Sequence, residues 1–454
     1  MLRIKSFPYV AGFSLWRHFE RTIGMKLGKR FLAAAAITGI AVASLTGCAS
    51  STPSGDGKVT IFGGYGEADA KAFQAALDEF GAANNIQITF TSLASFDKDI
   101  KVKIEAGQEP DIALWPQPGG LKDLADNLEP LKNVVDLKPI QDTLVPGWDQ
   151  LAVVDGDIYG LPVSANVKSM VFYNPEAFAA KGYAAPTSEA ELEALEAKIK
   201  ADGSGYPWCA GIESGGATGW PFTDWLEQYV LDLQGADKYA QWISGDLKFS
   251  SPEITAAADL VSKRLLAAGQ VNGGGKSMST DGFGDTAPLF ETGGKAKGQC
   301  FMLRQGSFIT GFFPDKIKAE MAAGNYAHVA AFPLPAPEGG TAGVLGGGDI
   351  AAVFKGHVDS DVKKVAEFIY STKVAEKMVS NGVISPHKDF NTSLYPNELN
   401  KKIGEAMAAA PLFGFDASDQ MPSEVNAEFW LAGTDFVAGK ATWAEAAVRI
   451  DAKY

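Results

Sequence analysis

Residues 59–90 read VTIFGGYGEADAKAFQAALDEFGAANNIQITF. The first five and last five of these residues are β-branched and apolar, the composition of strands. Between them Phe73, Ala76, Leu77 and Phe80 recur at the spacing of one helix face. Further on, Phe96, Ile100 and Ile104 repeat that spacing, Gly107 stands where it can end the helix, and DIALW at 111–115 reads as a third strand. Strand, helix, strand, helix, strand predicts a parallel sheet flanked by helices. Ligands of such sheets gather beyond the C-terminal ends of the strands. Tyr65 and Trp115 occupy those ends.

The pattern continues downstream. AVVDGDIYGLP at 152–162 places Asp155-Gly156 between apolar residues, a hairpin signal. Asp155 and Asp157 lack the further acids of a calcium loop. A strand-like run then leads to Asn174-Pro175, a helix entry. A second alternating region occupies roughly 180–345, with helices at SEAELEALEAKIKA and PEITAAADLVSKRLLAAG and a strand at GQCFML; the tail from Asp359 reads as helices.

Upstream lies one long apolar run, 31–44, FLAAAAITGIAVAS. It falls short of the roughly 20 residues that a spanning helix needs. Lys26, Lys29 and Arg30 precede it and small residues follow, which is the layout of a secretory signal. Met25 opens a compact basic start, so translation is expected to begin there rather than at Met1. Leu45-Thr46-Gly47-Cys48 resembles the lipobox of bacterial lipoproteins, which implies a diacylglycerol on the Cys48 sulfur and a chain held at the outer face of the cell membrane by that anchor. Residues 48–57 then read as a flexible tether. Residues 1–47 hold seven Lys or Arg and one Glu, so their removal takes the formal charge from −14 to −20.

That charge argues against a nucleic-acid partner, which would need clustered Lys and Arg. A content of 46% hydrophobic and 21% charged residues is that of a folded chain. Cys209 and Cys300 can bridge in an oxidising compartment or stay as buried thiols. Four His, none near a Cys, give no metal site, and no cofactor motif stands out. GQVNGGGKS at 269–277 misses phosphate-loop spacing by one residue and follows a helix. There is no Gly-x-Ser-x-Gly elbow and no His-Glu-x-x-His.

At 156–178, GDIYGLPVSANVKSMVFYNPEAF resembles the lobe-crossing segment of extracellular sugar-binding proteins of ABC importers, the maltose-binding group. CAGIESGGATGWPFTDWLEQY at 209–229 and GQCFMLRQGSF at 298–308 look like second-lobe segments of its alpha-glucoside-binding branch. GVLGGGDIAAVF at 343–354 looks like the return crossing, and 421–447 like the C-terminal helices, where Trp430 would face the sugar. The resemblance implies a two-lobed α/β fold of the periplasmic-binding-protein kind. Each lobe would be a mostly parallel sheet flanked by helices, with a hinge between: lobe 1 at 58–166 with 349–384, lobe 2 at 167–348 with 385–454. In that branch paired cysteines recur, which supports a Cys209–Cys300 bridge.

The implied function is binding without chemistry: a monomer that closes over an alpha-glucoside or small oligosaccharide and docks on an ABC permease with its ATPase. A lipid-anchored glycosidase and a sugar receptor for a signalling partner are the alternatives. A pyranose offers C–H-rich faces to aromatic rings and rim hydroxyls to planar polar groups. Tyr65, Trp115, Trp220 and Trp430 are therefore assigned as stacking surfaces. Glu67, Asp224 and Asp349 accept hydroxyl hydrogens, Gln117 and Asn166 accept and donate, and Arg304 donates. Gly347 and Gly348 allow close backbone approach. Trp225 and Phe308 are further candidates, although Trp220 and Trp225, five residues apart, face different sides of a helix. Arg304 could instead pair with an acid, and Asp349 cap a turn.

Overall fold

The computed structural model describes residues 52–379, 382–410 and 412–454. The expected signal, the alternative start at Met25 and Cys48 lie outside them. The strands in chain order are β1 (Lys58–Gly63), β2 (Gln87–Ser92), β3 (Ile112–Trp115), β4 (Ala152–Val154), β5 (Asp157–Pro162), β6 (Asn166–Val167) and β7 (Met170–Tyr173). After them come β8 (Tyr206–Trp208), β9 (Cys300–Gln305), β10 (Ala330–Pro333), β11 (Val344–Gly347), β12 (Ile350–Val353) and β13 (Phe413–Phe415).

Lobe 1 is built on the sheet β2-β1-β3-β12-β5-β4. The parallel pairs β1–β2 and β1–β3 follow from the helical connections Glu67–Asn84 and Phe96–Glu105. The returning strand β12 inserts antiparallel between β3 and β5, so lobe 1 is completed by chain from beyond residue 349. Helix Ser360–Ile369 packs Val362, Val365 and Ile369 into the core that holds Val59 and Ile61. The hairpin between β4 and β5 turns through Asp155 and Gly156, both left-handed with φ of 51° and 84°. That is the two-residue turn whose twist suits paired strands.

Lobe 2 is built on the sheet β10-β7-β9-β8. The expectation of a mostly parallel sheet needs correction in both lobes: in lobe 1 the pairings β3–β12, β12–β5 and β5–β4 are antiparallel, and in lobe 2 only β8–β9 is parallel, with β7 antiparallel to both β9 and β10. The cause in lobe 2 is that β7 enters directly from a lobe crossing rather than through a helical crossover within the lobe. Cys209, next to β8, and Cys300 in β9 form a disulfide with Cα atoms 5.3 Å apart. Between the lobes β6 and β13 flank β11, with Asn166 paired to Gly347 across the two crossings.

The tether also differs from expectation. Gly55 N–H donates to Ser360 Oγ (2.9 Å), Gly57 N–H to Asp361 Oδ2 (3.1 Å), and Ser360 N–H to the Pro53 carbonyl (3.0 Å). Residues 53–57 are thus seated on lobe 1, because a Gly-rich backbone can reach the free groups at a helix start. Among the described residues no helix is long and apolar enough to cross a membrane.

Candidate functional site: a ring-lined cavity between the lobes

A cavity of about 230 Å³ opens where the crossings meet the lobes. Pro116, Gln117 and Asp349 contribute the lobe 1 wall, and Asn166, Gly347 and Gly348 the floor. Trp220, Phe308 and Trp430 supply rings from lobe 2, beside Lys168, Ala217 and Asp419. Of the residues expected from sequence, Gln117, Asn166, Trp220, Phe308, Gly347, Gly348, Asp349 and Trp430 are brought together here.

Two helices set the rings. Helix Trp220–Ile243 begins at Trp220, and helix Ser423–Val437 carries Trp430. Trp220 is held edge-on by Phe283 and Phe308, with centroids 5.1 and 5.8 Å away. Each of these rings is half-buried, so a face remains for a ligand. The indole nitrogen of Trp430, a donor, and Asn166 Oδ1, an acceptor, are buried atoms without a hydrogen-bond partner in the protein. Such groups are costly unless something pairs them.

The acids divide by environment. Asp349 Oδ2 accepts from Ser164 Oγ at 2.6 Å, and its carboxylate also takes a bond from the Tyr65 hydroxyl. Burial pushes Asp349 up to about 6 despite these donors. Gln117 lies over Asp97, its amide nitrogen 2.9 and 2.8 Å from the two carboxylate oxygens in the orientation that satisfies both groups. Burial pushes Asp97 up to about 6 as well. Gly348 is required where it stands, since a Cβ there would collide with the Ser164 carbonyl.

Beneath the lobe 2 wall lies a buried charge cluster. Lys168 Nζ donates to Asp224 Oδ1 at 2.9 Å and to Asp416 Oδ2 at 2.5 Å, and sits 5.1 Å from the Trp220 ring centre. Burial opposes the charge on Lys168, but Asp224 and Asp416 outweigh it and hold the ammonium protonated. Burial and the neighbouring Asp416 push Asp419, which lines the cavity, well above the usual carboxylate range. Glu227 accepts from the Ala417 and Ser418 N–H groups. Asp224, Glu227 and Asp416 are close enough to hold a metal ion, but the Lys168 ammonium already supplies the cation between Asp224 and Asp416.

Six assignments need correction, because these residues do not line this cavity. Trp115 is 1% exposed and packs on Phe96 and Phe354 in the lobe 1 core. Trp225 is buried against Trp208 and under Arg304, whose guanidinium lies 5.2 Å from the Trp225 ring centre. Asp224 and Arg304 are therefore interior groups, paired to Lys168 and near Gln228 respectively. Tyr65 packs on Phe73 and Phe90 and meets the site only through Asp349. Glu67 faces a separate, outer chamber. Sequence reasoning missed Lys168 and Asp419; for Lys168 the available signal was a lone cation in the apolar run NVKSMVFY.

Residues 64–376 match the family described as bacterial extracellular solute-binding protein. The chain belongs to that family and is of the kind that serves carbohydrate ABC importers, a family of binding proteins. It is 32% identical, over 88% of its length and 94% of the relative's, to the osmoprotective compounds-binding protein GgtB of Synechocystis. It is 33% identical, over 85% and 84%, to the alpha-glucosides-binding periplasmic protein AglE of Rhizobium meliloti. Among solved structures, the bacterial solute receptor AcbH, described as exclusive for β-D-galactopyranose, superposes with a TM-score of 0.73 at 21% identity, covering 88% of this chain and 98% of the other. A chitin oligosaccharide binding protein gives 0.70 at 19%, covering 87% and 97%. The shared architecture is the two-lobed periplasmic-binding-protein fold.

Proposed function

We propose that the chain captures a compact alpha-linked glucoside between its lobes and delivers it to an ABC permease with its ATPase. One observation carries the reading: a single ring-lined cavity holds an unpartnered buried acceptor, Asn166 Oδ1, and an unpartnered buried donor, Trp430 Nε1. A sugar hydroxyl can satisfy either, and the half-buried faces of Trp220 and Trp430 suit the C–H side of a pyranose. A volume of about 230 Å³ lies under the 300–1,000 Å³ common for drug-sized ligands, which favours one or two sugar rings. Trehalose, sucrose and maltose are alpha-glucosides of that size. The first two are also compatible solutes, in keeping with the names of both curated relatives.

Sugar touching both lobes gives the closed form contacts that the open form lacks, and only that difference in affinity drives closure. The protein acts as a monomer, held by a lipidated Cys48 at the outer membrane face, and presents its closed shape to the permease. Lobe 1 comprises 58–166 and 349–384, with 53–57 seated on it; lobe 2 comprises 167–348 and 385–454. The test is equilibrium binding of radiolabelled trehalose, sucrose and maltose, followed by chromatography of the released sugar. Saturable binding of at least one sugar, recovered unchanged, is the expected result. Hydrolysed sugar would favour a glycosidase, and no binding of any of the three would overturn the reading.

A further inference from the structure

Asp419 is carried on the short helix Ala417–Gln420, whose start is capped by the Asp416 side chain. Lobe 1 closes on this turn from the other side: Gly119 lies so near the Met421 carbonyl that a Cβ there would collide with it. The turn thereby brings Asp419 into the cavity wall where the lobes meet. Asp419 also belongs to a group of four buried acids, with Asp224, Glu227 and Asp416. One cation bonds into that group, and its bonds go to the others: Lys168 Nζ donates to Asp224 and Asp416. Asp416 accepts in addition from Ser418 Oγ at 2.8 Å and from the Asp419 N–H at 2.9 Å. Glu227 accepts from the Ala417 and Ser418 N–H groups at 2.9 and 3.2 Å. Among the described residues, no donor reaches the Asp419 carboxyl.

Carboxyls packed together in a buried site cannot all ionise. The one that has neither a donor nor a bonded cation is the one that keeps its proton. Burial first, then Asp416, Asp224 and Asp97 push Asp419 up, while Lys168 opposes them. Asp97 comes from the lobe 1 helix Phe96–Glu105, where Lys101 offsets part of its charge. Lys122 and Asp123, at the end of the lobe 1 helix packed on the turn, are opposite charges beside each other. A carboxylic acid kept neutral in such a site donates a hydrogen bond that a carboxylate cannot. We infer that Asp419 is a specificity-determining residue of the cavity, standing in its wall as a neutral acid and donating its carboxyl hydrogen to an oxygen of the bound glucoside. Asp349, from lobe 1, is left to accept, so one lobe donates where the other accepts and the sugar is held in a single orientation. The inference rests on the sugar-binding reading above and assigns a residue and a proton within it.

The test is calorimetric titration at pH 7 of the wild type, Asp419→Leu and Asp419→Asn with trehalose, sucrose and maltose, with thermal melts as a folding check. Infrared difference spectra, with and without the sugar that the wild type binds best, accompany it. Asp419→Leu should lose about tenfold in affinity, and Asp419→Asn, which keeps a donor, should recover to within about threefold of the wild type. The wild type should show a protonated-carboxyl band that moves when sugar is added and is missing from Asp419→Asn. Asp224 and Glu227 are also pushed up by burial, so the Asn variant is what assigns the band. Should Asp419→Leu fail to fold, the Asn variant and the infrared band still decide. Unchanged affinity in Asp419→Leu, or a loss in Asp419→Asn as large as that in Asp419→Leu, would overturn the role of Asp419 alone. So would a sugar-sensitive band that is absent from the wild type or persists in Asp419→Asn. Binding of none of the three sugars would defeat the sugar-binding reading, and this inference with it.

Discussion

Ser164 Oγ donates to Asp349 Oδ2 at 2.6 Å and accepts from the Asp349 N–H at 3.0 Å, so the outgoing and returning lobe crossings are clasped to each other beside the cavity. Asp349 is thereby a cavity wall and a hinge element at once. Burial pushes its carboxyl up to about 6, with Asp69 adding to the push. If the carboxylate accepts a sugar hydroxyl, affinity should weaken about tenfold as pH falls from 7 to 5, one unit below that value. Asp349→Asn should bind more weakly at pH 7 and show a flatter profile. Stability runs the other way. A carboxyl raised in the folded state stabilises fully below its unfolded value near 4 and loses that contribution as pH rises through about 6. The Asn variant should therefore melt no lower than wild type at pH 7. Calorimetric titration and thermal melts across pH 5–8 check both signs.

Trp220 and Trp430 should separate from Trp115 in their effects. Each of the first two, changed to Ala, should cost about tenfold to a hundredfold in sugar affinity, corresponding to roughly 1.4–3 kcal/mol of lost apolar contact. Trp115→Ala should instead cost about 3–5 kcal/mol of folding stability, as a buried core ring does. Affinity measured on the folded fraction should barely change. Urea unfolding alongside titration distinguishes the two classes.

That contrast also marks what could be read in advance. The strand–helix–strand order around Glu67–Asn84 and the hairpin at Asp155–Gly156 follow from local rules of periodicity and turn chemistry, and the chain obeys them. The direction of Trp115 does not. All four residues of β3 are buried, so no alternation of polar and apolar positions says which side chain faces a ligand. The same holds for 221–232 of the helix that starts at Trp220, which is buried throughout and includes Asp224 and Glu227. A buried acid and a binding acid look alike in sequence; only the position of Lys168, in the link between β6 and β7 56 residues earlier, shows that Asp224 is already partnered.

Lys168 should prove structural before it proves anything else. Its side chain is 7% exposed and that of Asp224 1%. Lys168→Met would leave Asp224 and Asp416 as buried carboxyls without their cation, a loss of about 3–5 kcal/mol. Chemical denaturation should show the drop, and Lys168→Met combined with Asp224→Asn should recover part of it. No coupling between the two substitutions would contradict the assigned pairing.

Closure itself can be probed at Gly216 of lobe 2, where an added Cβ would lie 3.5 Å from Ser95 Oγ of lobe 1. Gly216→Phe should prop the lobes apart and weaken sugar binding about tenfold or more, with little change in melting temperature because the position is exposed. Small-angle scattering should then show less compaction on adding sugar than in the wild type.

The most direct test of the central claim is a crystal structure of the protein with the tightest-binding glucoside. The expected result is a sugar ring in contact with Trp220 and Trp430, one hydroxyl donating to Asn166 Oδ1 and another oxygen accepting from Trp430 Nε1. A sugar bound elsewhere, or one that leaves those two atoms unpaired, would contradict it.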